Sequence, residues 1–221
     1  MTGPGATLAR PHVWRPGDAT PPLLLLHGTG ADEHALVPLG ADLAPGAPLL
    51  SPRGTVLEGA MARFFRRLGE GVFDEEDLRV RTDELAAFVA AAAGEYGIEA
   101  GTLVAVGFSN GANIASSLLA RHPDLLAGAV LIAAMVPYRD GLGEVDLAGK
   151  RVAIVNGDAD PTIAPQQTTR LAGQLRGAGA QVSVLGHPGG HTVPDSRLAE
   201  LRAVVAATDR TIPDRGKAHR P

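Results

Sequence analysis

Hydrophobic and polar residues fall along this chain in blocks of two kinds. Four apolar runs have the length of a β-strand and end in glycine, proline or polar residues: "PLLLLHGTG" (22–30), "TLVAVGFSNG" (102–111), "GAVLIAAMVP" (128–137) and "KRVAIVNGDAD" (150–160). Their apolar residues are consecutive rather than alternating, which predicts strands buried on both faces, as in a parallel sheet covered by helices. "APLLSPRG" (47–54) and "AQVSVLGHPGG" (180–190) predict two more. Between the runs lie segments of helical character. "DEEDLRVRTDELAAFVAAAAGEYG" (74–97) has acidic residues early and glycines late, and "NGANIASSLLARHP" (110–123) ends at a proline. "PQQTTRLAGQLRGAG" (165–179) and "PDSRLAELRAVVAATD" (194–209) each open near a proline. Strand and helix alternate nearly to the end, so the expected class is α/β, a mostly parallel central sheet with helices on both faces.

Two segments stand outside the alternation. Residues 54–77, "GTVLEGAMARFFRRLGEGVFDEED", hold Phe64, Phe65 and Phe73 beside Arg63, Arg66 and Arg67 with no clean period. They read either as an insertion at the strand ends that lines a pocket or as an amphipathic connection over the sheet edge. In the first reading Phe64, Phe65, Phe73 and Arg67 are the substrate-binding residues. The phenylalanines form an apolar wall, and the arginines meet an anionic substrate group or face solvent. The tail from Asp209 to Pro221 has only Ile212 and Ala218 as apolar residues, and is expected to be disordered. Residues 1–208 are accordingly expected to form a single domain.

Composition narrows the partners. With 221 residues, 45% of them hydrophobic, the chain suits one well-cored domain. A formal net charge of -4 offers no basic surplus for phosphates, so nucleic acid is not expected. The absence of cysteine rules out disulfide frameworks and thiolate metal sites, and suits a reducing cytoplasm. The N-terminal "MTGPGATLARPH" lacks the apolar core of a signal peptide, and Leu23–Leu26 is too short to span a bilayer. The expectation is a cytoplasmic protein with no membrane insertion; a homodimer is one assembly it allows.

The chemistry centres on Gly107-Phe108-Ser109-Asn110-Gly111, which fits GxSxG. That pattern carries a nucleophile when it follows a buried strand and opens a helix, because the turn lifts the hydroxyl above the sheet edge. Here "TLVAV" precedes it and "ANIASSLLA" follows. A serine hydroxyl is a poor nucleophile at neutral pH and needs a base oriented by a carboxylate. "DADPTIAP" and "GHPGGHTV" supply them at the ends of the next two strands, in the order serine, acid, histidine. Asp160, deeper in its loop than Asp158, is the expected acid. His191, after two glycines that let the chain fold back over the sheet, is the expected base in preference to His187. Backbone N–H groups of Asn110 and of Thr29 in "LHGTGADE" are the expected oxyanion donors.

Two decoys fail. Gly28-Thr29-Gly30 begins GxGxxG but ends at Glu33. His187 and His191 have metal-ligand spacing, but Pro188, Gly189 and Gly190 preclude the helix that would aim both at zinc. Neither a metal nor an organic cofactor is expected.

"LLLLHGTGADE", "SPRG", "RFFRRLGEGVFDEEDL", "GFSNGAN", "NGDADPTIAP" and "GGHTV", in this order, resemble the phospholipase/carboxylesterase family of α/β-hydrolases, especially its small bacterial serine esterases, which are similar to dienelactone hydrolases. The resemblance runs from about residue 22 to 205. It implies an α/β-hydrolase fold without a large cap domain and antiparallel early strands at one sheet edge. It also implies Ser109 as nucleophile, Asp160 as acid, His191 as base, and donors at Thr29 and Asn110. The cysteine nucleophile of dienelactone hydrolases proper is missing, which argues against their chemistry. The expected activity is hydrolysis of a small-molecule carboxylic ester through an acyl-enzyme, as a carboxylesterase or a lysophospholipase-like enzyme. A thioesterase or acyltransferase with the same residues, or a non-catalytic binding protein on this fold, are the alternatives.

Overall fold

The computed structural model describes residues 8–99 and 101–209. The tail expected to be disordered lies, from residue 210 on, outside the described residues. Eleven strands are present among those described: β1 (His12–Arg15), β2 (Leu23–Leu26), β3 (Leu49–Pro52), β4 (Val56–Glu58), β5 (Met61–Arg63), β6 (Arg67–Gly69), β7 (Val72–Phe73), β8 (Leu103–Phe108), β9 (Leu126–Ile132), β10 (Arg151–Gly157) and β11 (Gln181–His187). The helices are α1 (Val37–Leu43), α2 (Glu75–Tyr96), α3 (Asn110–Arg121), α4 (Pro165–Gly177) and α5 (Leu198–Asp209). Seven strands form the main sheet in the order β1-β3-β2-β8-β9-β10-β11. All neighbours pair in parallel except β1 with β3, the antiparallel edge that the family resemblance implied.

The four leucines of β2 explain why the strands read as unbroken apolar runs. Leu24 and Leu26 join the core that includes Leu85 of α2, Leu118 of α3 and Leu175 of α4. Leu23 and Leu25 point to the other face, to Val37 and Leu43 of α1 and Leu201 and Val205 of α5. With a helical layer on each side, neither face of the strand tolerates a polar residue. Each fully buried leucine contributes on the order of 1.5–3 kcal/mol of transfer free energy.

Helix ends follow the local chemistry. Asp74 caps α2 by accepting the Asp77 N–H at 3.1 Å, with Glu75, Glu76 and Asp77 in the positive first turn. Gly97, at φ 68°, ends it in a left-handed conformation that costs glycine nothing. No helix among the described residues is long and apolar enough to cross a membrane.

Segment 54–73 folds into two hairpins, β4–β5 and β6–β7, each separate from the main sheet. It is partly core and partly pocket wall. Phe64 and Phe65, expected to line the substrate pocket, are instead among the largest fully buried side chains, at 1% and 0% exposure. The chain between the hairpins presses against the main body here. Phe64 packs on His27 with ring centres 4.7 Å apart, and Phe65 meets Phe73 edge-on at 5.1 Å.

Candidate active site

Parallel strands in register bring their C-terminal ends to one rim, and the chemistry-bearing loops leave from there. β8 ends at Phe108 and α3 begins at Asn110, so Ser109 makes the whole turn. Its backbone sits at φ 53°, ψ -115°, a strained conformation for a non-glycine residue. Two main-chain bonds hold it there: Ser109 N–H donates to the Ile132 carbonyl at 2.8 Å, and Asn113 N–H to the Ser109 carbonyl at 3.0 Å. The flanking glycines are steric requirements. A Cβ at Gly107 would lie 2.5 Å from the Gly111 carbonyl oxygen, and one at Gly111 only 1.9 Å from that of Leu26.

The acid and histidine loops are sewn together. Asp158 N–H donates to the His187 carbonyl at 2.8 Å and Ala159 N–H to that of Gly189 at 3.1 Å. A side chain at Gly157 would collide with Gly189 and Gly190, its Cβ 2.2 Å and 2.4 Å from their oxygens. This seam brings His191 between the other two groups. His191 Nδ1 lies 2.7 Å from Asp160 Oδ2, and Nε2 lies 2.9 Å from Ser109 Oγ. With Asp160 ionised, Nδ1–H donates to the carboxylate, which leaves Nε2 to accept the Ser109 hydroxyl proton. Asp160 Oδ1 accepts the N–H groups of Thr162 at 2.8 Å and Ile163 at 3.2 Å, which fixes the fully buried carboxylate.

The neighbours weighed against these residues are placed elsewhere. Asp158 is exposed, and its carboxylate lies beside Gly186. His187 is 4% exposed; its Nδ1 accepts the Gly189 N–H at 3.2 Å, and its buried Nε2 has no hydrogen-bond partner among the described residues. It ends β11 and supports the loop that carries His191.

Thr29 and Asn110 both line the small cavity at Ser109, of about 50 Å³, together with Asn113, Ala133, Met135 and His191. Arg63, Arg67, Glu70, Gly71 and Phe73 supply its wall from the hairpin segment. Of the expected substrate-binding residues, Phe73 and Arg67 therefore reach the cavity and Phe64 and Phe65 do not. Arg66 turns away to Asp74 and Asp77 at the start of α2, at 3.1 Å and 3.4 Å. A larger groove of about 300 Å³ lies at the N-terminal ends of β10 and β11 against α5, the opposite end of the strands from Ser109.

Three contacts that residue type alone did not suggest hold the Thr29 loop. His27, 1% exposed, accepts the Gly54 N–H at Nε2 (2.9 Å) and so donates from Nδ1 to the Gly28 carbonyl (2.7 Å). Burial pulls its pKa below the ordinary histidine value and keeps the ring neutral. Glu33 of the "GADE" stretch and Arg53 of the "SPRG" stretch form a two-pronged ion pair, with Arg53 Nη2 2.8 Å from Glu33 Oε1. Burial pushes the Glu33 carboxyl up, but the hydrogen bonds from Arg53 prevail and hold it below its usual value. Arg63 Nη1 donates to Thr29 Oγ1 at 2.8 Å. No three histidine, aspartate or glutamate side chains among the described residues group as metal ligands.

A serine on a strained strand-to-helix turn, hydrogen-bonded through a histidine to a buried aspartate on a mostly parallel sheet, defines an α/β-hydrolase. The family model described as Serine hydrolase (FSH1) matches residues 74–201. The protein named Putative hydrolase MhqD from Bacillus subtilis (strain 168) is 47% identical over 191 residues, 86% of this chain and 95% of that one. Among solved structures, the Bacillus cereus carboxylesterase is 43% identical with a TM-score of 0.88, over 91% of this chain and 96% of its own. The carboxylesterase from Mesorhizobium loti is 37% identical with a TM-score of 0.78, over 83% and 87%. The chain is a serine hydrolase and belongs to the phospholipase/carboxylesterase family of α/β-hydrolases.

Proposed function

We propose that Ser109, His191 and Asp160 carry the ester hydrolysis of this serine hydrolase through a covalent acyl-enzyme. The observation that supports this reading best is the unbroken chain Ser109 Oγ, His191, Asp160, with contacts of 2.9 Å and 2.7 Å. His191 Nε2 takes the hydroxyl proton as Oγ bonds to the ester carbonyl carbon, and Asp160 stabilises the imidazolium that forms. The main-chain N–H groups of Thr29 and Asn110 hold the developing oxyanion, each contributing roughly 2.7–4 kcal/mol in a site of this kind. The tetrahedral intermediate collapses as its bond to the alcohol breaks, and His191 protonates the departing oxygen. Water, deprotonated by the same imidazole, then cleaves the acyl-enzyme and releases the acid. Metal and organic cofactors have no part in this sequence.

The substrate in this reading is a small-molecule ester whose reacting carbonyl enters the small cleft that holds Ser109. The protein works in the cytoplasm, without nucleic acid, as a monomer or homodimer. Turnover of p-nitrophenyl acetate by wild type and Ser109→Ala tests the reading. It expects turnover in the first and none above background in a folded second, and turnover retained in Ser109→Ala overturns it.

A further inference from the structure

We propose that Arg63 and Arg67 form an anion subsite, so that the preferred ester carries a carboxylate close to its scissile bond. The inference rests on the hydrolase reading above and names its substrate class. Arg63 is 4% exposed, an unusual place for a guanidinium, yet it lines the cavity that holds Ser109. Its Nε donates to the Phe65 carbonyl at 3.1 Å and its Nη1 to Thr29 Oγ1 at 2.8 Å, with Glu58 Oε2 3.3 Å from the same nitrogen. Its Nη2 meets no hydrogen-bond acceptor among the described residues. Arg67, on the same wall, spends Nε and Nη2 on Glu58, at 3.1 Å and 2.7 Å, and its Nη1 likewise has no acceptor among those residues.

Charge and geometry then agree. Two guanidiniums share the single paired carboxylate of Glu58, which is not part of the cavity lining. Glu70 is the one carboxylate of the hairpin segment that lines the cavity; it is exposed, acts on Arg67 only through space and makes no hydrogen bond to either guanidinium. Burial has already pulled the Arg63 pKa below its ordinary value, a cost that an arriving anion offsets. Each guanidinium keeps one spare Nη, enough for a single charge-assisted hydrogen bond from each arginine to a carboxylate, and the link from Arg63 to Thr29 places that anion beside the oxyanion loop. The hydrophobic wall of Phe73 confines the remaining approach.

The carboxylate can belong to the acyl part, as in a half-ester of a dicarboxylic acid, or to the alcohol part, as in an acylated hydroxy acid. Initial rates settle which. Monomethyl succinate is compared with its uncharged isostere, an isopropyl group replacing the carboxylate, and acetylated glycolate is compared with an uncharged acetate ester of the same size. In wild type, kcat/KM for one of the charged esters should exceed that of its neutral partner at least about tenfold. Arg67→Gln should collapse that ratio, and Arg67→Lys should restore part of it. The preference should also fade as ionic strength rises. Neutral esters hydrolysed as well as or better than both charged ones, or a ratio unmoved by Arg67→Gln, overturns the subsite while leaving the hydrolase reading intact. Failure of the hydrolase reading looks different: every ester, neutral or charged, goes unhydrolysed by folded protein.

Discussion

The carboxamide oxygen of Asn110 accepts the main-chain N–H of Phe64 at 2.7 Å, so the residue beside Ser109 also pins the hairpin segment that walls the site. Both groups are buried, Asn110 at 1% exposure. Asn110→Ala leaves the Phe64 N–H without its acceptor and should cost about 1–3 kcal/mol of unfolding free energy. Urea unfolding of the variant checks this, and an unchanged midpoint and slope would mean that the contact contributes nothing.

Glycines in this chain divide sharply by surroundings. Gly111→Ala puts a Cβ 1.9 Å from the Leu26 oxygen and 2.5 Å from that of His27, both backbone atoms that have no room to retreat. The variant should fail to fold, or lose at least about 3 kcal/mol. Gly94, inside α2, has open space where a Cβ would go, and Gly94→Ala should gain roughly 0.5–1 kcal/mol. Thermal melts of the pair test the contrast; similar shifts in both would refute it.

Much of this arrangement was legible before the structure, for a physical reason. Buried parallel strands demand unbroken apolar runs, and the turn at Ser109 demands glycines at 107 and 111, so both leave marks on residue type. β1 left none: four residues, His12–Arg15, half-buried on an edge, carry no clear period. α1 starts at Val37 with no side-chain cap and runs only seven residues, too short for helical periodicity to register. β4 to β7 are two or three residues each. Phe64 and Phe65 could not be told from pocket residues, because an aromatic ring suits a core and a binding wall equally and only tertiary packing decides. His27 was invisible in another way, since its role rests on a contact to Gly54 from a distant loop.

His27 makes stability depend on pH. Its folded pKa lies below the unfolded value of about 6.5, so its neutral form favours the fold fully above that pH. As pH falls from there toward the folded pKa, the unfolded chain binds a proton that the folded one refuses, and stability drops by up to about 1.4 kcal/mol per pH unit. Unfolding free energies of wild type and His27→Gln between pH 4 and 8 should converge on acidification. A difference that does not change with pH would remove His27 from the account of acid sensitivity.

The two aspartates of the acid loop should differ in kind. Asp160→Asn keeps the size of the side chain but removes the charge facing His191 Nδ1, and should lower kcat by about 10⁴-fold. Asp158→Asn, at an exposed position whose side chain makes no contact with His191, should stay within a few-fold. Steady-state rates on one activated ester separate them, and equal losses would contradict the assignment.

The most direct measurement is the covalent one. Native protein treated with a fluorophosphonate should gain a single adduct by intact mass, mapped to the peptide carrying Ser109, and folded Ser109→Ala should gain none. No adduct on folded wild-type protein, or an adduct on another residue, would contradict a nucleophilic Ser109.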